Sequence, residues 1–239
     1  MVKIFLLKYL KKLIIFLNNF LKIKSQPLSP AELYFEDVSK KSYENFKKYF
    51  ENSYVFSDDT SIRNFAINEA TKKFDSQSLF LEFGVYKGDS INLFAKNLKK
   101  IKGQIFGFDS FRGLKDEWLT EEFNPQRTFN LDGKKPKVEK NVHLIDGWVE
   151  ETLENFLSKN TEKIAFIHFD LDTYQSTSYV LKKIKKKLQH GSIILFDQFY
   201  GFPNWEKYEF KAFKEEFEEK SFEYTAFSTR QACIRITNL

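Results

Sequence analysis

A single cysteine, Cys233, occurs in 239 residues. That scarcity excludes an intramolecular disulfide and a cysteine-rich metal cluster, and it fits a reducing compartment. Methionine is equally scarce, one residue against 28 phenylalanines and 11 tyrosines, so the expected core is aromatic. The chain has no internal repeat, and its length suits one sizeable α/β domain with a short appendage. Net positive charge is also confined to one segment. The formal net charge is +5, yet residues 1–24 alone hold Lys3, Lys8, Lys11, Lys12, Lys22 and Lys24 and no acid, which leaves residues 25–239 one unit negative. A nucleic-acid-binding domain concentrates basic charge on a folded face. The run Lys182 to Lys187 is too short for that and reads as the solvated face of a helix, so no nucleic-acid partner is expected.

Long uninterrupted hydrophobic runs are lacking too. Lys11 and Lys12 break the apolar stretch near the start, which cannot span a bilayer comfortably, and no small-residue cleavage site follows as a secretory signal requires. What is present is Ile4, Leu7, Leu10, Leu13, Ile14, Leu17, Phe20 and Leu21 at helical spacing, opposite the lysines and Asn19. Residues 1–24 are therefore expected to form a basic amphipathic helix. One reading is peripheral attachment to an anionic membrane surface, placing a cytoplasmic protein at the inner face of the membrane. The other is a helix that covers the domain or pairs with a second subunit in a homo-oligomer.

Pro27 and Pro30 are expected to end that helix and begin a linker, so that residues 25–77 form a linker and N-terminal helical cap. Within it, residues 31–75 look helical, with Thr60 or Ser61 as N-cap of a helix through Lys73. From residue 78 to 239 the pattern alternates. Apolar runs at 79–84, 104–108, 142–145, 163–169 and 191–196 are separated by helical stretches at 88–100, 149–159 and 173–189, which implies βαβ units and a parallel sheet. A helix over Trp205 to Lys220 follows, and FEYTAFSTRQACIRI reads as two strands with a turn near Ser228 and Thr229. The expected fold is a Rossmann-like α/β sheet of seven strands, five parallel plus a C-terminal hairpin that adds one antiparallel strand, with helices on both faces.

Chemistry concentrates at the strand ends. Asp170, Asp172 and Asp197 close two apolar runs that read as buried strands, and open α/β sheets bind ligands beyond such carboxyl ends. LEFGVYKGDS at 81–90 is a strand, a glycine turn and a helix start, suited to an anionic group, although Tyr86 stands where the dinucleotide fingerprint has its third glycine and an ordinary turn fits as well. The next strand ends in Asp109, 25 residues after Gly84, placed to accept hydrogen bonds from a ribose diol. After the third strand, Asp146, Gly147 and Trp148 suit a polar edge contact and a flat wall for an adenine ring, or Trp148 simply packs. His168 and His143 lie within strands and read as buried structural residues.

Six segments in order, LEFGVYKG, GFDSFRGL, GWVEETL, IHFDLDTYQST, GSIILFDQFYGFPNWEKYEFKAF and RQACIRI, resemble the class I S-adenosylmethionine-dependent methyltransferases over about residues 78–236, and within them the macrocin O-methyltransferase group, which modifies sugars and related hydroxyls. The resemblance implies an O-methyltransferase that uses S-adenosyl-L-methionine and Mg²⁺ on a small-molecule or glycan acceptor. It places Glu82, Gly84 and Gly88 around the methionine part of the cofactor, Asp109 at the ribose, and Ser110 and Trp148 near the adenosine. Val85, Tyr86, Ser90, Phe111, Asp146, Gly147 and Asp170 complete the same pocket. It implies Asp170, Asp197 and Gln198 as metal ligands, with Gln198 a departure from the family's acidic pair that removes one negative charge. Asp172 becomes the catalytic base, its competing role being an N-cap for the helix starting at Thr173. The stretch 112–140, with Trp118, Pro125 and Arg127, is too long for an ordinary βα connection and reads as a lid or acceptor wall. YGFPNWEKYEF at 200–210 offers aromatic rings that stack on a sugar or pack on that lid. Two competing functions remain: a catalytically silent cofactor-binding scaffold, for which Gln198 is the hint, and a nicotinamide-dependent oxidoreductase, which wants a three-glycine turn and a Tyr-x-x-x-Lys pair, neither of them found at a suitable place.

Overall fold

A computed structural model describes residues 10–14, 28–116, 118 and 128–238. Most of the amphipathic segment, Pro27 of the linker, and the loop residues Pro125 and Arg127 lie outside the described residues. Residues 10–14 are helical, and no helix among the described residues is long and apolar enough to cross a membrane.

Pro30 does not interrupt a helix; it opens α1 (Pro30–Phe50), at the position where a missing N–H costs nothing. Ser29 and Glu32 cap that start reciprocally, the Ser29 amide donating to Glu32 Oε2 at 2.8 Å and the Glu32 amide to Ser29 Oγ at 3.3 Å. After β1 (Tyr54–Val55), α2 (Asp59–Lys73) is capped by Asp58, not by Thr60 or Ser61 as expected: the Asp58 carboxylate accepts the Ser61 amide at 2.8 Å. The alternating part follows as β2 (Leu79–Phe83), α3 (Asp89–Leu98), β3 (Ile105–Asp109), β4 (Val142–Asp146), α4 (Val149–Lys159), β5 (Ile164–Phe169), α5 (Tyr174–Ile184) and β6 (Ile193–Phe196). The chain closes with α6 (Glu209–Glu216), β7 (Phe222–Phe227) and β8 (Ala232–Ile236). The continuous helix expected over 205–220 is broken: a 3₁₀ turn at Trp205–Lys207 precedes α6 and another follows at Glu219–Ser221, because Tyr208 on one side and Phe217 and Glu218 on the other leave helical geometry.

The strands form one sheet in the order β1-β7-β8-β6-β5-β2-β3-β4. β8 alone runs antiparallel, paired with β6 and β7. The seven expected strands are present, and β1 adds an eighth, parallel to β7 at the edge. Its two side chains are both exposed, so it carries no apolar signature. β2 and β5 are buried at every position, as central parallel strands covered on both faces must be. One face packs on α2 and α3 through residues such as Ile62, Ala66, Ile91 and Phe94. The other packs on α4, α5 and α6 through Leu153, Val180, Leu181 and Phe213.

The compact unit that holds the sheet begins at Val38, within α1. Phe46 is its aromatic hub, fully buried with the rings of Phe199, Tyr200, Trp205, Phe210, Tyr224 and Phe227 at centroid distances of 5.0–5.9 Å. Tyr200, Phe202, Trp205 and Tyr208 are thus core residues, buried to 8% exposure or less, and not a wall for a sugar. Phe202 packs on the long connection, one of the two roles expected, 6.4 Å from the buried Trp118, while Tyr200 and Trp205 pack on Phe46. Truncating the hub, Phe46→Ala, is expected to cost about 3–5 kcal/mol in urea unfolding, while Leu33→Ala at an exposed position of α1 should stay within about 0.5 kcal/mol.

Candidate active site

The turn after β2 is built around a close approach. Gly84 has φ +87°, and a Cβ there would stand 1.9 Å from the carbonyl oxygen of Asp170. Glycine lets the ends of β2 and β5 meet, with the Asp170 amide donating to Phe83 O at 2.8 Å and the Gly84 amide to Phe108 O at 2.9 Å. Asp109, at the end of β3, holds the turn. Its Oδ2 accepts the amides of Val85 and Tyr86 at 2.8 and 2.7 Å, and its Oδ1 accepts the Phe111 amide at 2.6 Å. Tyr86, the residue in place of a third glycine, takes φ 48° within this clamp. Gly88 supplies the left-handed N-cap of α3.

A cavity opens above this turn. Of the residues expected around a cofactor, Gly84, Val85, Tyr86, Asp109, Ser110, Gly147, Trp148 and Asp170 line it, together with the expected base Asp172. Glu82 and Ser90 lie beneath the turn, both buried, where Ser90 Oγ donates to Glu82 Oε1 at 2.6 Å. Phe111 is a fully buried core ring, and Gly88 is not in the lining. Asp146 also stays outside: its carboxylate faces Arg112 at 3.9 Å and Lys135 at 3.5 Å. Leu114 and Phe129 line the cavity from the long connection, which was expected to form a wall, and Leu171 and Ser176 beyond β5 are walls that sequence reasoning did not name. The length of that connection was the available signal. Lys115 stands 5.9 Å over the Trp148 ring.

Beside the cavity lies a cluster of buried ionisable groups. His168 is fully buried in β5, with Nδ1 3.8 Å from Glu82 Oε1 and Nε2 3.6 Å from Asp197 Oδ1, contacts longer than hydrogen bonds. Burial alone would lower its pKa, but the carboxylates of Asp197 and Glu82 more than offset that and lift it to about 9. Asp197 Oδ1 also accepts from Arg63 of α2 at 2.6 Å and from Gln231. Burial opposes the Asp197 charge, yet His168 and Arg63 hold its pKa below the ordinary carboxylate range. Burial, and then the charge of Asp197, push Asp170 up to about 8. Asp172 is buried with φ 61° and is not a helix cap, since Thr173 occupies that position ahead of α5. Glu209, which sequence reasoning missed, is fully buried, and its Oε2 accepts the Gln198 amide at 3.2 Å. Burial and the charges of Asp172, Asp170 and Asp197 drive its pKa well above the usual value.

His168, Asp170 and Asp197 each present a donor atom within 4.8 Å of the others. The expected pair Asp170 and Asp197 is therefore brought together, with His168 as the third member. The side-chain oxygens Gln198 Oε1 and Glu209 Oε1 are buried without a hydrogen-bond partner. Oxygens of this kind, next to carboxylates, suit a hard divalent cation. Arg63, Gln231 and His168 all approach Asp197 at Oδ1.

The folded-state pKa of His168 lies above its ordinary 6.5, so its protonation stabilises the fold fully below pH 6.5, and that contribution is lost as pH rises through about 9. Asp170, raised from 3.8 to about 8, acts in the same direction as its carboxyl ionises. The melting temperature without added metal is expected to fall between pH 6.5 and 9, and to fall less in His168→Asn; a flat profile would contradict the cluster's charge state.

Residues 81–199 match the family of methyltransferase domains. No curated protein matches the chain in sequence. Among solved structures, the chain is similar to the calicheamicin methyltransferase CalS11, with 21% identity, a TM-score of 0.59, and 89% of this chain and 87% of that one covered. A second, apo structure of CalS11, described as a TDP-rhamnose 3'-O-methyltransferase, gives a TM-score of 0.55 at 21% identity, covering 89% and 88%. The O-methyltransferase NovP aligns at 14% identity with a TM-score of 0.58, over 75% of this chain and 79% of NovP. These likenesses establish a shared fold, and with the family match they make this chain a class I S-adenosylmethionine-dependent methyltransferase.

Proposed function

We propose that this methyltransferase methylates a hydroxyl of a sugar or of a glycan or natural-product precursor, assisted by a divalent cation such as Mg²⁺. The observation that carries the reading is the meeting of His168, Asp170 and Asp197 within 4.8 Å, with Asp170 shared between that cluster and the cavity. The solved structures described as a TDP-rhamnose 3'-O-methyltransferase and as the O-methyltransferase NovP support an oxygen acceptor.

S-adenosylmethionine supplies an electrophilic methyl on its sulfonium, and a divalent cation lowers the pKa of a bound hydroxyl. The protein's part is positioning and proton removal. Asp109 fixes the Val85 and Tyr86 amides of the turn, so that the backbone approaches the donor closely. Trp148 and Phe129 give the cavity flat walls for the adenosine. Asp170 and Asp197 would hold the cation, with Gln198 offering a neutral carbonyl. A sugar hydroxyl is a poor nucleophile at neutral pH. Asp172, two residues after Asp170 on the cavity wall, is the carboxylate placed to take its proton.

The test is calorimetry with S-adenosylhomocysteine, with and without Mg²⁺, followed by transfer of labelled methyl to nucleoside-diphosphate sugars. Native protein should bind S-adenosylhomocysteine, and Asp109→Ala should weaken binding by about ten-fold or more through loss of the turn. Asp172→Asn should retain that binding while losing roughly a hundred-fold or more in transfer. No binding to native protein would sink the reading, whereas binding without turnover on any hydroxyl would favour a silent scaffold. Attachment to an anionic membrane surface through residues 1–24 belongs to the same proposal, supported by six lysines without an acid and by exposed Leu10, Leu13 and Ile14. Full-length protein should float with anionic vesicles and a chain starting at Ser25 should not; equal flotation would rule the anchor out.

A further inference from the structure

The acid expected at the adenine edge, Asp146, stays outside the cavity, its carboxylate facing Arg112 and Lys135. Four residues on, Glu150 lines the cavity together with Trp148 and Val149, in the first turn of α4. Its carboxylate is held but not satisfied. Oε1 accepts from Ser176 Oγ of α5 at 2.8 Å, and the Tyr179 hydroxyl of the same helix donates to the Glu150 carbonyl at 3.2 Å. Oε2 is buried with no hydrogen-bond partner, and Lys115 Nζ stands 3.9 Å from it, beyond hydrogen-bond reach. A buried carboxylate oxygen without a donor is costly, so a ligand that brings an N–H to it is favoured. α4 also begins without a side-chain cap, which leaves its first backbone amides without a helical partner. A donor and an acceptor therefore share the one turn of the wall that follows the flat Trp148 ring.

We propose that Glu150 selects the purine of the cofactor, its Oε2 accepting the 6-amino group of an adenine stacked on Trp148 while a first-turn amide of α4 donates to N1. Adenine presents that pair of groups on its Watson–Crick edge, an acceptor beside an amino donor. A 6-oxo purine presents the reverse, an N1–H beside a carbonyl, and sets its oxygen against the carboxylate. The α-ammonium and the ribose diol of the cofactor also donate, but neither is a flat ring with an acceptor beside the donor. Ser176 and Tyr179 are positioning residues, which fix the carboxylate and the turn that carries it. The assignment uses only the cofactor of the family and stands apart from the acceptor and the cation proposed above.

The experiment is calorimetry of the full-length protein with S-adenosylhomocysteine and with S-inosylhomocysteine, whose purine carries the 6-oxo group and N1–H. Native protein is expected to favour the adenosyl compound by about ten-fold or more. In Glu150→Gln, whose amide donates as well as accepts, that preference is expected to shrink to about two-fold. In Glu150→Ala the adenosyl compound should weaken by about ten-fold while the inosyl compound changes little. Asp146→Asn should keep the native ratio. A merely structural Glu150 would weaken both compounds alike, so an unchanged ratio in Glu150→Gln overturns the assignment, as does a native protein without preference or a ratio lost in Asp146→Asn. Should Glu150→Ala fail to unfold cooperatively on heating, the nearly isosteric Glu150→Gln decides alone. Binding of neither compound by native protein would overturn the cofactor reading as well. The ratio is measured without acceptor or cation, so failure of the metal-assisted reading leaves it standing.

Discussion

A chain of alternating charges crosses the carboxyl ends of the central strands. Ser90 of α3 donates to Glu82 of β2, His168 of β5 lies between Glu82 and Asp197, and Asp197 is bound by Arg63 of α2 and by Gln231 just before β8. Each member belongs to a different element, and buried charges are tolerated only when paired. The chain therefore fixes how α2, α3, β2, β5, β6 and the start of β8 meet. It also divides the region in two, with the glycine turn on one side and the acid cluster on the other.

On the turn side, geometry is set by backbone contact. The ends of β2 and β5 approach so closely that any side chain at residue 84 would collide with the Asp170 carbonyl. Asp109 then spends its carboxylate on three amides, those of Val85, Tyr86 and Phe111. An acid at this strand end thus shapes the cavity as well as lining it. The dihedral strain at Tyr86 and Phe111, both at positive φ, is held in place by that same carboxylate.

On the acid side, electrostatics dominates. Asp170, Asp172, Asp197 and Glu209 lie where burial disfavours their charge, with Arg63 and His168 as the cations beside Asp197. Stability and binding are opposed here: the arrangement is costly without a ligand and well suited to one that brings positive charge. Gln198 Oε1 and Glu209 Oε1, both buried without a hydrogen-bond partner, lie just after the end of β6 and at the start of α6.

Apolar runs bounded by glycine and acid made the five parallel strands legible, since a strand buried on both faces reads as continuous hydrophobicity. The paired carboxylates at 170 and 172, the glycine turn and Asp109 were equally visible, because strand ends and tight turns restrict residue type locally. β1 was not, since an exposed two-residue edge strand is defined by its partner β7. Nor were Arg63 and Glu209, which reach the cluster from 134 residues and 12 residues away from Asp197, nor the inward turn of Tyr200, Phe202 and Trp205 onto Phe46 and Trp118. By itself the sequence determined the order of elements and the chemistry available at each strand end, because those depend on local pattern. Only the tertiary structure decided which charges meet and which oxygens are left buried without a partner, because pairing in a low-dielectric interior depends on distance in space and not along the chain.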